Sequence, residues 1–191
     1  MKVSRARMAQ NRETILAEAG RLFREKGFDA VSIAEVMKAA GLTHGAFYGH
    51  FGSKDDLIAE TVAHATCTGD DCSRGFADYL ADYLSPEHRD GADAGCATAA
   101  LAAGLRHQCS PARAAMGEGV ATQIDHVAAA LARDSGRPVA EMRRAAIGCW
   151  SAMVGAMIMA RSVDDPALSA EILAETRAWI EQSGIGSDAK P

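Results

Sequence analysis

Aromatic side chains make up only 5% of this 191-residue chain, and proline occurs just five times. No stretch alternates apolar and polar residues at period two, so the pattern of a half-buried β-strand is missing. Alanine and leucine abound instead, and the fold class expected is all-α. Cysteine is sparse and odd in number, five residues at irregular spacing. That excludes a disulfide framework and suits thiols in a reducing compartment. The longest apolar run, residues 149–160, is too short to cross a bilayer. The first ten residues carry charge with no apolar run behind them, unlike a secretory signal. A cytoplasmic location with no membrane partner is the expectation. No cofactor-binding loop is present, so no cofactor is expected. Metal is not expected either: His64, Cys67, Asp70 and Cys72, or His107 with Cys109, lack the paired spacings of closed zinc sites.

The formal charge of −5 argues by itself against nucleic acid, but its distribution argues the other way. Residues 1–54 carry a net +4, whereas residues 55–191 carry −9. A basic head on an acidic body is the footprint of a protein that meets phosphates with one end.

Within the basic end, residues 32–54 read SIAEVMKAAGLTHGAFYGHFGSK. Ser32 and Glu35 have the spacing of a capping box, and Val31 and Val36 that of the accompanying hydrophobic staple. Ile33, Val36, Met37 and Ala40 recur at helical spacing. Gly41 then falls where a left-handed helix-ending residue is needed. Thr43 is placed to cap the next helix, whose Phe47 and Phe51 lie one turn apart and point inward. Thr43, His44, Gly45, Tyr48 and Gly49 are left facing outward. This is a helix-turn-helix pattern, its second helix offered to a major groove. Before it, a helix over 10–26 has Ile15, Leu16, Ala19, Leu22 and Phe23 on one face. Gly27 ends that helix, and Phe28 falls where a Schellman motif would pack it on Phe23. Residues 1–8 read as a polar arm, either disordered or reaching DNA through Lys2, Arg5 and Arg7.

The run from Asn11 to Glu60 resembles the DNA-binding domain of the tetracycline-repressor (TetR/AcrR) family of bacterial regulators. Ile15, Ala19, Phe23, Gly27, Phe28, Ile33, Val36, Ala40, Gly41, Thr43, Gly45, Phe47, Tyr48, His50, Phe51, Lys54 and Leu57 carry the likeness, which spans about the first third of the chain without gaps. The resemblance implies a DNA-binding domain at 1–54 and an effector-binding and dimerisation domain at 55–191. Thr43, Tyr48, His50 and Lys54 would hold phosphates, a role that suits two hydroxyls, a ring N–H and an ammonium. His44, Gly45 and Ala46 would face bases, the last two being small enough for close approach. Partners implied are a double-stranded DNA operator, a second copy bound through the last two helices, and a small-molecule or electrophile effector. The function implied is that of a homodimeric, ligand-responsive transcriptional repressor.

In the body, Ser53 with Asp56 opens a further helix, and residues 67–73, poor in helix formers, suggest a break in it. Further helices are read at 76–84, 96–108, 111–135, 138–162 and 166–182, with a loop at 85–94 and a disordered tail from 184. Phe76, Tyr79, Tyr83, Met116, Trp150, Met153 and Met157 are candidates to line an effector pocket, or are ordinary core. The segment HRDGADAGCATAALAAG resembles one branch of the same family, in which a cysteine senses oxidants or electrophiles. Cys96 would be that residue, near a helix N-terminus that favours thiolate, or else a small residue packed under a loop. Two other classes stay open: a thiol enzyme using Cys96 with His88 or His107, although no third orienting group is evident, and a helical adaptor without DNA binding. No catalytic residue is assigned.

Overall fold

A computed structural model of the chain describes residues 4–67, 75–91 and 95–183. Secondary structure among them is entirely helical, as the missing period-two pattern requires. In chain order come α1 (Arg5–Lys26), α2 (Ile33–Ala39), a 3-10 helix (His44–Gly49) and α3 (Lys54–Cys67). Then follow α4 (Phe76–Tyr83), α5 (Pro86–Asp90), α6 (Ala97–Leu105), α7 (Ser110–Ser135), α8 (Val139–Ser162) and α9 (Pro166–Gln182). The chain divides into two compact units, Met1–Thr68 with Cys96–Gly119, and Gly69–Gly95 with Val120–Pro191.

In the first unit, α1 starts earlier than its apolar pattern suggests. The Ser4 hydroxyl accepts the Arg7 N–H at 3.2 Å, so residues 5–8, read as part of a polar arm, are helical. Residues 1–3 of that arm, residues 68–73 of the expected break and the tail from 184 lie outside the described residues. Ile15, Leu16, Ala19, Leu22 and Phe23 are buried along α1, which faces α2 and α3. At its end the Gly27 N–H bonds Phe23 O at 2.9 Å, but with φ 80° and ψ 167° the residue is not left-handed helical. The Schellman pair expected there is absent. Phe28 nevertheless packs on Phe23, ring centroids 5.2 Å apart.

That pair of bonds occurs at the end of α2 instead. Gly41, at φ +70°, donates to Lys38 O at 3.1 Å, and Leu42 donates to Met37 O at 2.9 Å. At the start of α2 the Ser32 hydroxyl accepts the Glu35 N–H at 3.2 Å. The Glu35 carboxylate takes Lys26 Nζ at 2.7 Å and lies against the Ser32 backbone N–H. Its pKa is lowered, chiefly by the Lys26 hydrogen bond, so one side chain both completes the capping box and ties α2 to the end of α1. Val31 and Val36 are both buried, as a staple requires. Phe47, Phe51, Leu57, Ile58 and Val62 complete this core. Each such side chain contributes roughly 1.5–3 kcal/mol by leaving water.

The second unit is built on α8 and α9, which pack along each other. Asp165 caps α9 by accepting the Ala167 N–H at 2.8 Å and the Leu168 N–H at 3.3 Å. Leu168, Ile172, Thr176, Trp179 and Ile180 recur at helical spacing and by pattern alone form one side of α9, but that side splits: Ile180 is buried, whereas Leu168 is 42% and Trp179 61% exposed. Ser169 and Leu173 fill the inner face instead. Residues 85–94, read as loop, contain α5. The Ser85 hydroxyl caps it, and Arg161 closes its other end by donating to Arg89 O at 3.0 Å and His88 O at 2.6 Å. The apolar run at 149–160 is part of the 24-residue α8, which by length and composition alone could cross a membrane. Its Met142, Cys149, Trp150, Met153, Ala156 and Met157 are buried in the protein, and 39% of its apolar window is buried in all.

Candidate nucleic-acid interface

The 3-10 helix at 44–49 is anchored from one side only. Phe47 is fully buried and stacks on Phe51 at 5.6 Å, with Arg12 of α1 lying 5.0 Å over the Phe51 ring. Arg12 also pairs with Glu60 of α3, so one guanidinium braces both helices behind the segment. Four of the seven residues expected to meet DNA are exposed. Thr43, His44 and Gly45 are exposed, Ala46 is half-buried, and Tyr48 is 65% exposed with its ring edge-on to Phe47. The His44 and Tyr48 rings are 6.1 Å apart, forming a polar aromatic edge. His50 and Lys54 are half-buried, Lys54 opening α3 next to Ser53, whose hydroxyl takes the Asp56 N–H at 3.0 Å.

One of these residues, Thr43, differs from the sequence expectation in a way that bears on binding. Thr43 occupies the cap position, yet its side chain makes no capping hydrogen bond. A 3-10 helix ties Ala46 N–H back to Thr43 O at 3.0 Å, and the hydroxyl is left facing outward. Gly45 has a negative φ and nothing within 4 Å of where a Cβ would stand. Nothing inside the protein calls for glycine there, which fits a demand from a surface that must come close. His50 is held below the ordinary histidine pKa of 6.5, first by burial and then by Arg12. It is therefore neutral near pH 7 and has one ring N–H to donate.

The first turn of α1 is an addition that sequence reasoning left open. The Met8 methyl lies 3.9 Å from the Cβ position of Gly49. Arg5, Met8 and Arg12, spaced by three and four, lie on one stripe of α1, so Arg5 extends the edge formed by Tyr48 and His50. Arg7 falls on a different face.

In the second unit, Phe76, Tyr79, Tyr83, Trp150, Met153 and Met157 are all buried. Tyr79 lies 6.0 Å from Tyr83 and accepts Gln123 Nε2 at 2.8 Å; Tyr83 lies edge-on to Trp150 at 5.3 Å. His88 joins this cluster, 4.6 Å from Tyr83 ring to ring. The Trp150 indole N–H is buried without a hydrogen-bond partner among the described residues. Met116 belongs to the first unit, where its sulfur takes the Thr98 hydroxyl at 3.7 Å. Cys96 is half-exposed at the N-terminal cap of α6 and makes no side-chain capping bond. Cys149 is buried, which pushes its thiol up to about 11 and keeps it protonated. Arg89 is engaged by Asp90 at 2.7 Å and by Ser169 at 3.1 Å. Among the described residues, no group of three His, Cys, Asp or Glu side chains is placed to hold a metal ion.

Residues 15–61 match the family described as bacterial regulatory proteins, tetR family. The chain is 47% identical over 51 residues to the HTH-type transcriptional regulator AcrR of Shigella flexneri, covering 27% of this chain and 24% of that protein. It is 35% identical over 65 residues to the HTH-type transcriptional repressor BepR of Brucella suis biovar 1 (strain 1330), covering 34% of this chain and 31% of that one. The matches thus span about a quarter to a third of these relatives. The fold match is wider: a TetR-family transcriptional regulator from Agrobacterium tumefaciens superposes with a TM-score of 0.69 at 20% identity, over 92% of this chain and 98% of that one. By sequence, residues 15–61 are similar to the helix-turn-helix segment of bacterial tetR-family regulators, and over nearly its whole length the chain shares the fold of TetR-family structures.

Proposed function

We propose that the protein is a homodimeric transcriptional repressor, working in the cytoplasm, whose residues 1–54 hold a palindromic operator and whose residues 55–191 dimerise and take an effector. The observation that carries this reading is the one-sided anchoring of the 44–49 segment. Its aromatic core is buried, while Thr43, His44, Gly45 and Tyr48 project a polar edge with a small-residue gap. Tyr48, Thr43, His50 and Lys54 hold phosphates in this reading, and His44, Gly45 and Ala46 face base edges. Two heads are needed to read two half-sites about one DNA turn, or a small multiple of it, apart.

Release follows from differential binding: an effector that prefers the body conformation with the wrong head spacing lowers operator affinity. Two effector routes fit the body. A small molecule seated against Tyr79, Tyr83 and Trp150 would find the unpartnered indole N–H as a donor. A thiol-reactive compound would act at Cys96, which is half-exposed where Cys149 is buried and protonated.

A gel shift of the full chain against its own upstream region, with and without an oxidant, tests the reading. Retardation that weakens steeply with salt is the expected result. No retardation at low salt would overturn DNA binding. Retardation unaffected by oxidant, together with Cys96 alkylation no faster than that of the other thiols, would remove the redox route alone.

A further inference from the structure

Within the first unit, α3 and the start of α7 meet at one side chain and one missing side chain. A Cβ placed on Gly119 would stand 2.3 Å from Thr66 Cβ, 2.6 Å from its Oγ1 and 2.7 Å from its Cγ2. The nearest of these atoms is fixed by the α3 backbone, so no rotation of Thr66 relieves the overlap. The rotamer is held in any case, because Oγ1 donates to Val62 O at 2.9 Å and to Ala63 O at 3.2 Å. Gly117, one further helical glycine on the same stretch of α7, has nothing within 4 Å of its Cβ position. Glycine is therefore required by space at 119 and not at 117.

Thr66 sits in the last turn of α3, and Lys54 opens the first. Between them Leu57, Ile58, Thr61 and Val62 are buried, Leu57 and Val62 almost completely, with α3 packed along α1. A helix of this length is stiff and about 21 Å long. Restoring an ordinary carbon–carbon separation at Gly119 would need a shift of about 1.3 Å. Delivered at one end of α3, that displacement tilts the end bearing Lys54.

We propose that Gly119 is a positioning residue for DNA binding: its missing side chain lets α7 seat against Thr66 and so sets the inclination of α3 that presents Lys54 to the phosphate backbone. Gly119 touches no DNA and acts only through Thr66 and α3. The inference rests on the DNA-binding reading above.

The test uses the full chain and a labelled DNA fragment of its own upstream region. Binding is measured across a salt series for wild type, Gly119→Ala, Gly117→Ala and the double variant Gly119→Ala/Thr66→Gly, with a thermal melt of each. Gly119→Ala is expected to bind about tenfold more weakly and to show a salt slope smaller by about one, the signature of one lost phosphate contact. Gly117→Ala should bind as wild type does. The double variant, which moves the missing Cβ to the other helix, should recover both affinity and slope. Gly119→Ala behaving like Gly117→Ala would overturn the proposal. So would a double variant that folds without recovering binding, or that does not fold, since clearance would then not be the reason for glycine. Should Gly119→Ala itself not fold, the double variant decides. Failure of the wild type to bind the fragment would count against the proposed function instead.

Discussion

Gly45 and Thr43 share an unusual property: the protein makes no use of what distinguishes them. Alanine in place of Gly45 meets open space and improves helix propensity, so Gly45→Ala should leave the melting temperature unchanged or slightly raised while weakening operator binding. Thr43→Ala should likewise spare stability, because no capping bond is lost, and should weaken all sites alike, as a phosphate contact predicts. His44→Ala, by contrast, should alter which sequence is preferred. A melt beside a binding series on two operator sequences checks all three, and a stability loss at Thr43 above that of an ordinary surface change would refute its free hydroxyl. His50 adds a pH dependence. Burial and Arg12 lower its folded pKa, so the unfolded chain takes up its proton at the higher pH. Stability is therefore complete above the unfolded value of about 6.5 and declines as pH falls toward the folded value. Denaturant titrations should show a shallower decline in His50→Gln over that interval. The outward placement of Thr43, His44, Gly45 and Tyr48 was legible from spacing, whereas His50 and Lys54 entered only through the family resemblance. The neighbours that tune them were not, since Arg12 and His50 stand 38 positions apart and meet only through the packing of α1 on Phe51.

Among the elements, helix ends decided where sequence reading succeeded. Ser32, Glu35, Val31, Val36 and Gly41 form a local code, every part of which lies within ten residues, and the structure realises it bond for bond. Ser32→Ala should cost about 1 kcal/mol, measurable by urea unfolding. Ends set by distant groups were not readable: α5 lies in a stretch with proline and glycines and is closed by Arg161, more than seventy residues away. At Gly27 local rules pointed to a glycine cap and were right about the residue but not its ψ. The first turn of α1 escaped because its pattern is polar, although Ser4 caps it. That turn carries its own prediction. Arg5 shares the stripe of Met8, which faces Gly49, and Arg7 does not. Arg5→Ala should reduce the salt slope of operator binding by about one, with Arg7→Ala close to wild type. Equal slopes for the two variants would mean the stripe does not reach the phosphates.

At the scale of the whole molecule, the outer faces of α8 and α9 remain to be accounted for. In the sequence Gly148, Ala152, Gly155, Ala156 and Met159 form a set permitting close helix approach, yet Ala156 is buried within the protomer; which residues turn inward was not legible, because a helix apolar on most sides has no single face until its neighbours are placed. The structure sends Met142, Trp150, Met153 and Met157 inward and leaves Ile147 44%, Met159 53% and Trp179 61% exposed. On α9 the residues Leu168, Ile172, Thr176 and Trp179 recur at helical spacing along the same outward side. Apolar surface of this extent is seldom left in water by a monomer, and a second copy of the same two helices would cover it. A pair of glutamates, Ile147→Glu with Trp179→Glu, replaces side chains that are already exposed, so the folded protomer should melt within a few degrees of the wild type. The proposed dimer should not survive them, because two copies of each charge would be buried against apolar neighbours. Light scattering should then report a monomer, and operator affinity should fall by two to four orders of magnitude, on the order of 10²–10⁴-fold, as the second head loses its effective concentration. A variant that keeps the dimer mass would place the interface elsewhere. A variant that becomes monomeric yet keeps full affinity would show that one head suffices, and the argument that this protein reads two half-sites would fall with it.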